Sequence, residues 1–340
     1  MDKKTIAGFL PEDLIREFKI FSQPGYRVGQ LLCWIYKKHI LDFSLMTDLP
    51  EDLRFNLNNF MQPVSLSLRK ESVSADKTVK YVFETGTGEL IESVFIPLQK
   101  RATVCVSTQV GCSFGCIFCA SGLNGLKRNL SAGEIVSQLV CIQNKHPLNP
   151  ITNVVFMGMG EPLSNYEQTL KAVRILNNPE CAGLGARKIT ISTCGLPDKI
   201  LQLSKEKIQI ELSISLHSAD DALRDKLMPV NKIYPIEQLI MCAKKYTEIT
   251  QRIITFEYVL ISGINAAKHD ALKLAKLLAP LRCKVNLIPF NPVQGLDFLP
   301  ASLSQVNIFK SILENKRINV TVRRQRGVDV QSACGQLVRG

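Results

Sequence analysis

ATVCVSTQVGCSFGCIFC, residues 102–119, joins two signals in one run. Its first six residues are small or β-branched and read as a short buried strand. The strand hands over at once to a loop that places Cys112, Cys116 and Cys119 at a C-x-x-x-C-x-x-C spacing. In β/α barrels the loops after the strands build the active face, so the position of this triplet matters as much as its spacing. Downstream the pattern repeats, with "ITNVVFM", "KITIST", "IELSISL", "RIITFEYVLI" and "KVNLIPF" reading as strands. Each of the six strands is followed by a loop or an amphipathic stretch such as "AGEIVSQLVCIQNK", "YEQTLKAVRILNN", "PIEQLIMCAKKYTEIT" or "HDALKLAKLLAPL". Six strand and helix units over residues 101–300 predict an α/β chain whose parallel sheet forms a partial (β/α)6 barrel. A further helix, "LSQVNIFKSILENK", and strand, "INVTVRR", lead through residues 301–340 to a tail that holds Cys334.

Upstream of the barrel the period changes twice. Residues 1–62 carry apolar residues at helical spacing in "PEDLIREFKIF", "YRVGQLLCWIYKKHI" and "PEDLRFNLNNF", which predicts a small helical module. Residues 63–100 alternate with period two in "VSLSLRKESV", "KTVKYVFET" and "ELIESVFIPL", divided by "SADK" and "GTG". That is the signature of a short antiparallel β meander linking the module to the barrel.

With 340 residues and 46% hydrophobic content the chain can bury a substantial core. The start "MDKKTIAGFLPEDLI" lacks the apolar run of a secretory signal and no segment is long enough to span a membrane. A cytoplasmic, monomeric enzyme is expected. In that reducing compartment eleven cysteines are not a disulfide framework, so clustered ones read as metal-binding or catalytic. The balance of 42 Lys and Arg against 30 Asp and Glu, a net charge of +12, suits an anionic partner, and nucleic acid fits better than a membrane.

A structural zinc site closes four ligands, often as two C-x-x-C pairs, and no second pair exists here. Three close thiolates suit a 4Fe–4S cluster, in which the fourth iron stays open. That iron can chelate the amino and carboxylate groups of S-adenosylmethionine, and one-electron transfer to the sulfonium then yields a 5′-deoxyadenosyl radical. The bland alternative is three buried cysteines acting as small hydrophobes.

This spacing resembles the radical S-adenosylmethionine superfamily. The flanking residues "RATVCVSTQVGCSFGCIFCASGLNGLKRNLSAGEIVSQ", "VVFMGMGEPLSNY", "ITISTCG", "LSISLHS", "LMPVN", "VNLIPFNP" and "VDVQSACGQL" resemble the RlmN/Cfr family of RNA adenine methyltransferases, in the same order and over nearly the whole chain. The resemblance implies cluster ligation by Cys112, Cys116 and Cys119. It implies cofactor contacts from Gly160, Glu161, Ser192, Ser215, Leu216, His217 and Asn291, all of which follow or end predicted strands on one rim. Read singly, Gly158 and Gly160 could only turn the chain, Glu161 could be a solvated charge, and His217 could be a packed histidine. Cys194 stands in "STCG", where serine is expected from the family.

Two more cysteines gain roles only through the resemblance. In isolation Cys105, within the first barrel strand, and Cys334 would be called structural. The family implies that Cys334 accepts a methyl group from one S-adenosylmethionine and that the radical from a second activates that methyl for addition to an adenine ring carbon. Cys105 then resolves the covalent adduct, and the two thiols are expected to pair as a disulfide in air. Glu92 is the only charge in "LIESVFIP" and shares a face with Leu90, Val94 and Ile96. It is either at an edge facing water or buried as a proton acceptor, and the family assigns the second role.

Lys127, Arg128, Arg323, Arg324, Arg326, Arg27, Lys37 and Lys38 are candidate phosphate contacts or solvated charges. Trp34, with Tyr26 and Tyr36, either guides RNA or packs inside the helical module. The reading favoured is methylation of adenine carbon 2 in 23S rRNA, extending to tRNA, with an electron donor such as a flavodoxin. The alternatives are carbon 8 methylation, a metal-stapled RNA-binding protein without catalysis, and a radical enzyme acting on a small molecule.

Overall fold

The strands of this chain alternate polar and apolar residues even where they run parallel, which is unusual because parallel strands are buried on both faces and read as continuous apolar runs. A computed structural model, describing residues 3–123 and 125–337, shows why. Two short strands, β1 (Lys4–Thr5) and β2 (Met61–Gln62), pair at the base of a helical module formed by α1 (Pro11–Ile20), α2 (Tyr26–Tyr36) and α3 (Glu51–Phe60). The meander follows as β3 (Leu66–Val73), β4 (Val79–Thr85) and β5 (Leu90–Leu98). The barrel begins with β6 (Arg101–Cys105), a hairpin of β7 (Gln109–Gly111) and β8 (Leu126–Asn129), and α4 (Ala132–Lys145). It continues through β9 (Asn153–Phe156), α5 (Tyr166–Asn177), β10 (Ile189–Thr193), α6 (Pro197–Leu203), β11 (Glu211–Ser215), α7 (Asp221–Leu227) and α8 (Ile236–Thr250). The last elements are β12 (Ile254–Leu260), α9 (Lys268–Leu278), β13 (Cys283–Pro289), α10 (Leu303–Asn315) and β14 (Asn319–Val322).

All strands except the two small pairs join one ten-stranded sheet in the order β14-β13-β12-β11-β10-β9-β6-β5-β4-β3. The six expected barrel strands are mutually parallel neighbours in chain order, with β14 as a seventh. The meander pairs antiparallel and continues directly into β6, so it is part of the sheet rather than a link outside it. The sheet is concave. One cavity is lined by alternate residues of successive strands, among them Thr103, Asn153, Thr190, Ser213, Thr255, Asn286 and Thr321. The interior of this barrel is therefore a polar lumen instead of the packed apolar layers usual in a closed barrel. The other faces of these strands, such as Val104, Val154, Ile191, Leu212, Phe256 and Val285, are buried under the helices.

The helical module is held by its own apolar stripe, including Leu14, Phe18, Leu31, Ile35, Leu53 and Leu57. Helix α4 starts at a capping box in which Ser131 accepts from the Glu134 N–H and Glu134 accepts from the Ser131 N–H. Nearly all of α4 is buried, with the sheet on one side and the segment before α1 on the other. No helix among the described residues is long and apolar enough to cross a membrane.

Gly29 lies exposed inside α2, and a Cβ there would meet nothing within 4 Å. Gly29→Ala should raise stability by about 0.5–1 kcal/mol, since glycine in a helix interior carries that penalty relative to alanine. The midpoint of thermal unfolding is expected to rise by about 1 °C.

Candidate active site

The β7–β8 hairpin frames the cysteine loop, and the Cys112 N–H donates to the Gly125 carbonyl at 3.1 Å across it. Asn124, inside this stretch, lies outside the described residues. The loop is also fastened from outside: the Ile117 N–H donates to Leu227 and the Ala120 N–H to the Gly335 carbonyl at 2.8 Å. Cys112, Cys116 and Cys119 border one cavity. Burial pushes all three thiols up, Cys112 to about 11, and mutual repulsion adds to this for Cys116. A bound metal must therefore displace three protons. Among the described residues no three His, Cys, Asp or Glu side chains converge closely enough to hold a single metal ion. Thiols spread around a cavity suit a cluster instead, because each thiolate takes a different iron.

The loop after β9 supplies the opposite wall. Gly158 and Gly160 are close-approach glycines: a Cβ at Gly158 would lie 2.7 Å from the Val106 carbonyl, and one at Gly160 would lie 2.5 Å from the Gln109 Cβ. Glu161 is buried, and its two carboxylate oxygens accept from the Leu163 N–H at 2.9 Å and the Cys194 N–H at 2.7 Å. It ties the β9 loop to the end of β10. Burial pushes its carboxyl up while these backbone donors pull it down. The solvated-charge reading of Glu161 is thereby excluded.

Ser192 near the end of β10, Ser215 at the end of β11, His217 two residues on and Asn291 after β13 line the same cavity. Leu216 does not line it; the side chain is fully buried and its carbonyl accepts from Arg224. His217 has φ +57, a left-handed conformation uncommon for a side-chain-bearing residue. Its Nδ1 accepts from the Val259 N–H at 2.9 Å, which leaves the proton on Nε2. Burial, reinforced by Arg224, pushes the imidazole down to about 3, so it is neutral. Asn291 donates to the Cys334 carbonyl at 2.9 Å, while its buried Oδ1 has no hydrogen-bond partner among the described residues. An orphaned acceptor on a cavity wall is what a donor on a bound cofactor would satisfy.

The cavity meets the lumen at Cys334, Asn291, Met157, Glu257, Ile288 and Arg323, which line both. Cys105 faces the lumen. Both thiols are free, so the disulfide expected in air is not formed. Burial first, then Cys334, pushes the Cys105 thiol up to about 12 against the pull of Arg323, so the resting thiol is protonated and slow to pair. Glu92 is fully buried in the middle of the sheet and pairs with Lys80 at 3.1 Å, which removes the edge alternative. Its strand alternation puts it on the face of Val94 and Ile96, which line the lumen, although Glu92 itself lies outside the wall of either cavity.

Several basic residues considered for RNA contact are spent inside the protein. Arg128 binds Glu134 and Glu89, Arg326 pairs with Asp76, and Arg323 points inward to Glu257 and the Met157 sulfur. Arg27 donates to the Asp48 carbonyl, and the Lys38 ammonium covers the Trp34 ring at 3.3 Å. Trp34 is half-buried, packs against the core and donates its indole N–H to Asp48, which fits the packed reading better than an open platform. Tyr36 is buried and Tyr26 is exposed. The sequence reading missed Gln109, Arg224 and Glu257, whose partners are remote in the chain and left no local signal.

Residues 106–275 match the Radical SAM superfamily, and residues 6–62 match the "Ribosomal RNA large subunit methyltransferase N-terminal domain". The superfamily implies a 4Fe–4S cluster and S-adenosylmethionine. A "Probable dual-specificity RNA methyltransferase RlmN" from a Thermoanaerobacter species is 45% identical over 329 residues, 96% of each chain. A relative from Opitutus terrae with the name "Probable dual-specificity RNA methyltransferase RlmN 3" is 43% identical over 98% of this chain and 94% of its own. A solved radical SAM methyltransferase from Sphaerobacter thermophilus superposes with a TM-score of 0.96 at 43% identity, covering 98% of this chain and 99% of that one. Three thiols around one cavity in a partial barrel, with relatives of this kind over almost the full length, place the chain in the RlmN family of radical SAM RNA methyltransferases.

Proposed function

We propose that this enzyme methylates carbon 2 of an adenine in 23S rRNA, and of tRNA as a second substrate, in the cytoplasm and as a monomer. The observation that carries the reading is the junction of the two cavities. Cys334 lies on both the wall bordered by the cluster cysteines and the wall bordered by Cys105, so one tail thiol can face the cofactor and the lumen thiol. Cys112, Cys116 and Cys119 would hold the cluster, while Gly160, Glu161, Ser192, Ser215, His217 and Asn291 would shape the S-adenosylmethionine pocket, with Leu216 behind them. When bound, the cluster and S-adenosylmethionine supply a 5′-deoxyadenosyl radical, with the electron coming from a donor protein such as a flavodoxin.

The chain's own residues do the rest, and two S-adenosylmethionines are used per turnover. Cys334 attacks the methyl of the first, forming an S–CH3 bond as the sulfonium–CH3 bond breaks. Transfer of one hydrogen atom from that methyl to the 5′-deoxyadenosyl radical, which becomes 5′-deoxyadenosine, leaves a carbon radical on Cys334, and this adds to the electrophilic ring carbon without needing a nucleophile. The adduct passes one electron to a one-electron acceptor such as the oxidised donor protein, and Glu92 accepts the ring proton. Cys105 then attacks the Cys334 sulfur, an S–S bond forms as the S–CH2 bond breaks, and the carbon leaves with a proton as the new methyl. A thiol reductant regenerates both cysteines. Arg323 lies close enough to Cys105 to favour its thiolate.

Anaerobic incubation of reconstituted protein with S-adenosylmethionine, a low-potential reductant and unmodified 23S rRNA should yield 2-methyladenosine by nucleoside mass spectrometry. 8-Methyladenosine would move the chain to the other branch of the family. No product from rRNA or tRNA, with the cluster intact, would refute the reading.

A further inference from the structure

The largest fully buried side chain of the described residues is an arginine. Arg224, on the short helix α7, has no exposed surface. Its guanidinium makes four hydrogen bonds: Nε to the Leu216 carbonyl at 3.0 Å, Nη2 to the carbonyls of Cys194 at 2.8 Å and Ser215 at 3.2 Å, and Nη1 to Asn231 Oδ1 at 2.7 Å. Three of these acceptors are the chain ends just beyond β10 and β11, where the cofactor wall is built. No carboxylate forms an ion pair with Arg224 among the described residues. Asp221 and Asp225 lie near enough to act on it electrostatically, and Asn231 links them to it, its Nδ2 donating to them at 2.8 Å and 2.7 Å. Carbonyl dipoles solvate the cation in place of a direct ion pair.

Burying a charge that has no direct ion-pair partner is costly, so a hydrophobic side chain of like volume would serve packing better. The helix that carries this charge abuts the cysteine loop: the Leu227 carbonyl at the end of α7 accepts from the Ile117 N–H at 3.1 Å, and Cys194 and Ser215, which Arg224 holds, line the cavity that Cys116 borders.

We infer that Arg224 is a positioning residue of the cofactor site, fastening the ends of β10 and β11 to each other and holding a positive charge behind the cluster-binding thiolates. The inference rests on the proposed function, because the charge matters only if Cys116 binds an anionic cluster. A three-thiolate 4Fe–4S cluster gains one more negative charge on reduction, and a nearby buried cation stabilises the reduced form. The planar fork of the guanidinium binds three carbonyls at once, and a lysine ammonium cannot span them.

The test compares parent, Arg224→Met and Arg224→Lys proteins after anaerobic cluster reconstitution. Three quantities are read: iron content per chain, the reduced-to-oxidised cluster ratio by electron paramagnetic resonance at a fixed potential, and equilibrium binding of S-adenosylmethionine. Arg224→Met should load iron normally but show at least a tenfold lower reduced fraction ratio, equivalent to about 59 mV for one electron. Arg224→Lys should keep the ratio within about threefold while binding S-adenosylmethionine at least about fivefold more weakly. An iron-loaded Met variant with an unmoved ratio would overturn the electrostatic role, and parental affinity in the Lys variant would overturn the positioning role. Should the Met variant fail to fold, the Lys variant decides alone, because a tenfold fall in ratio with the charge retained contradicts the inference. Parent protein that takes up no iron would instead overturn the proposed function, and this inference with it.

Discussion

Cys334→Ala protein is expected to keep its iron and to cleave S-adenosylmethionine on reduction, yet to place no methyl group on RNA. The tail does not depend on the thiol for its position. Gly335 accepts from the Ala120 N–H, Ser121 donates to the Leu337 carbonyl at 2.7 Å, and Asn291 holds the Cys334 carbonyl rather than its sulfur. Further back, Asp329 accepts from Ser74 and from the Ala75 N–H at the β3–β4 turn, while Asp76 accepts from the Gly327 N–H at 3.3 Å. Removing Sγ therefore deletes one atom from a segment anchored at both ends. If the methyl travels through Cys334, methylation should fall by roughly a thousandfold or more, the scale seen when a covalent nucleophile is deleted. Product formation near the parental rate would mean direct transfer to RNA. Cys105→Ala sharpens the comparison, because it should spare methyl loading and stall the last step, leaving RNA covalently attached to the chain on a denaturing gel. An absence of that adduct, with methylation intact, would remove Cys105 from the mechanism.

The fold was readable because its chemistry is unusually regular. A polar lumen forces each parallel strand to alternate, so "KITIST" and "IELSISL" announced both their class and their faces. The rim was readable for a related reason, since residues that follow consecutive parallel strands share one end of the sheet by construction. Charge was not readable in the same way. Arg128, Arg323 and Arg326 look like an RNA-facing set in sequence, but their carboxylate partners Glu89, Glu257 and Asp76 lie on distant strands and turns. Only the folded chain reveals which cations are already neutralised. Glu92 shows the converse: one-residue alternation put it on the lumen side, while its burial depended on β5 being a central strand. Arg224 left no mark at all, since "DALRDKL" reads as a solvated helix face.

The second large effect is expected from a single methyl group. Gly160→Ala should lower stability and weaken S-adenosylmethionine binding together, because Gly160 is constrained in two independent ways. Its φ of +100 lies where a residue with a Cβ is strained, at about 1–3 kcal/mol. The new methyl would also sit 2.5 Å from Cβ, 2.7 Å from Cγ and 2.9 Å from N of Gln109, and overpacking of a tight site typically costs about 1–3 kcal/mol more. Gln109 cannot step aside. It is fully buried in β7, its Nε2 donates to Asn129 on β8 at 2.7 Å, and its Oε1 accepts from the Glu161 N–H at 2.8 Å. Moving Gln109 shifts the hairpin that carries Cys112, whereas moving Gly160 pulls Glu161 from the Cys194 and Leu163 amides. Either relaxation opens the wall between cluster and cofactor. The sum, about 2–6 kcal/mol, corresponds to a fall of roughly 3–8 °C in the unfolding midpoint. Loss of about 3 kcal/mol of cofactor binding would appear as an affinity roughly a hundredfold weaker. Gly86→Ala is the matched control, since a methyl there meets nothing within 4 Å, and it should change neither quantity. If Gly160→Ala unfolds at the parental temperature and binds S-adenosylmethionine normally, the close approach of the β9 loop to β7 is not what shapes the pocket.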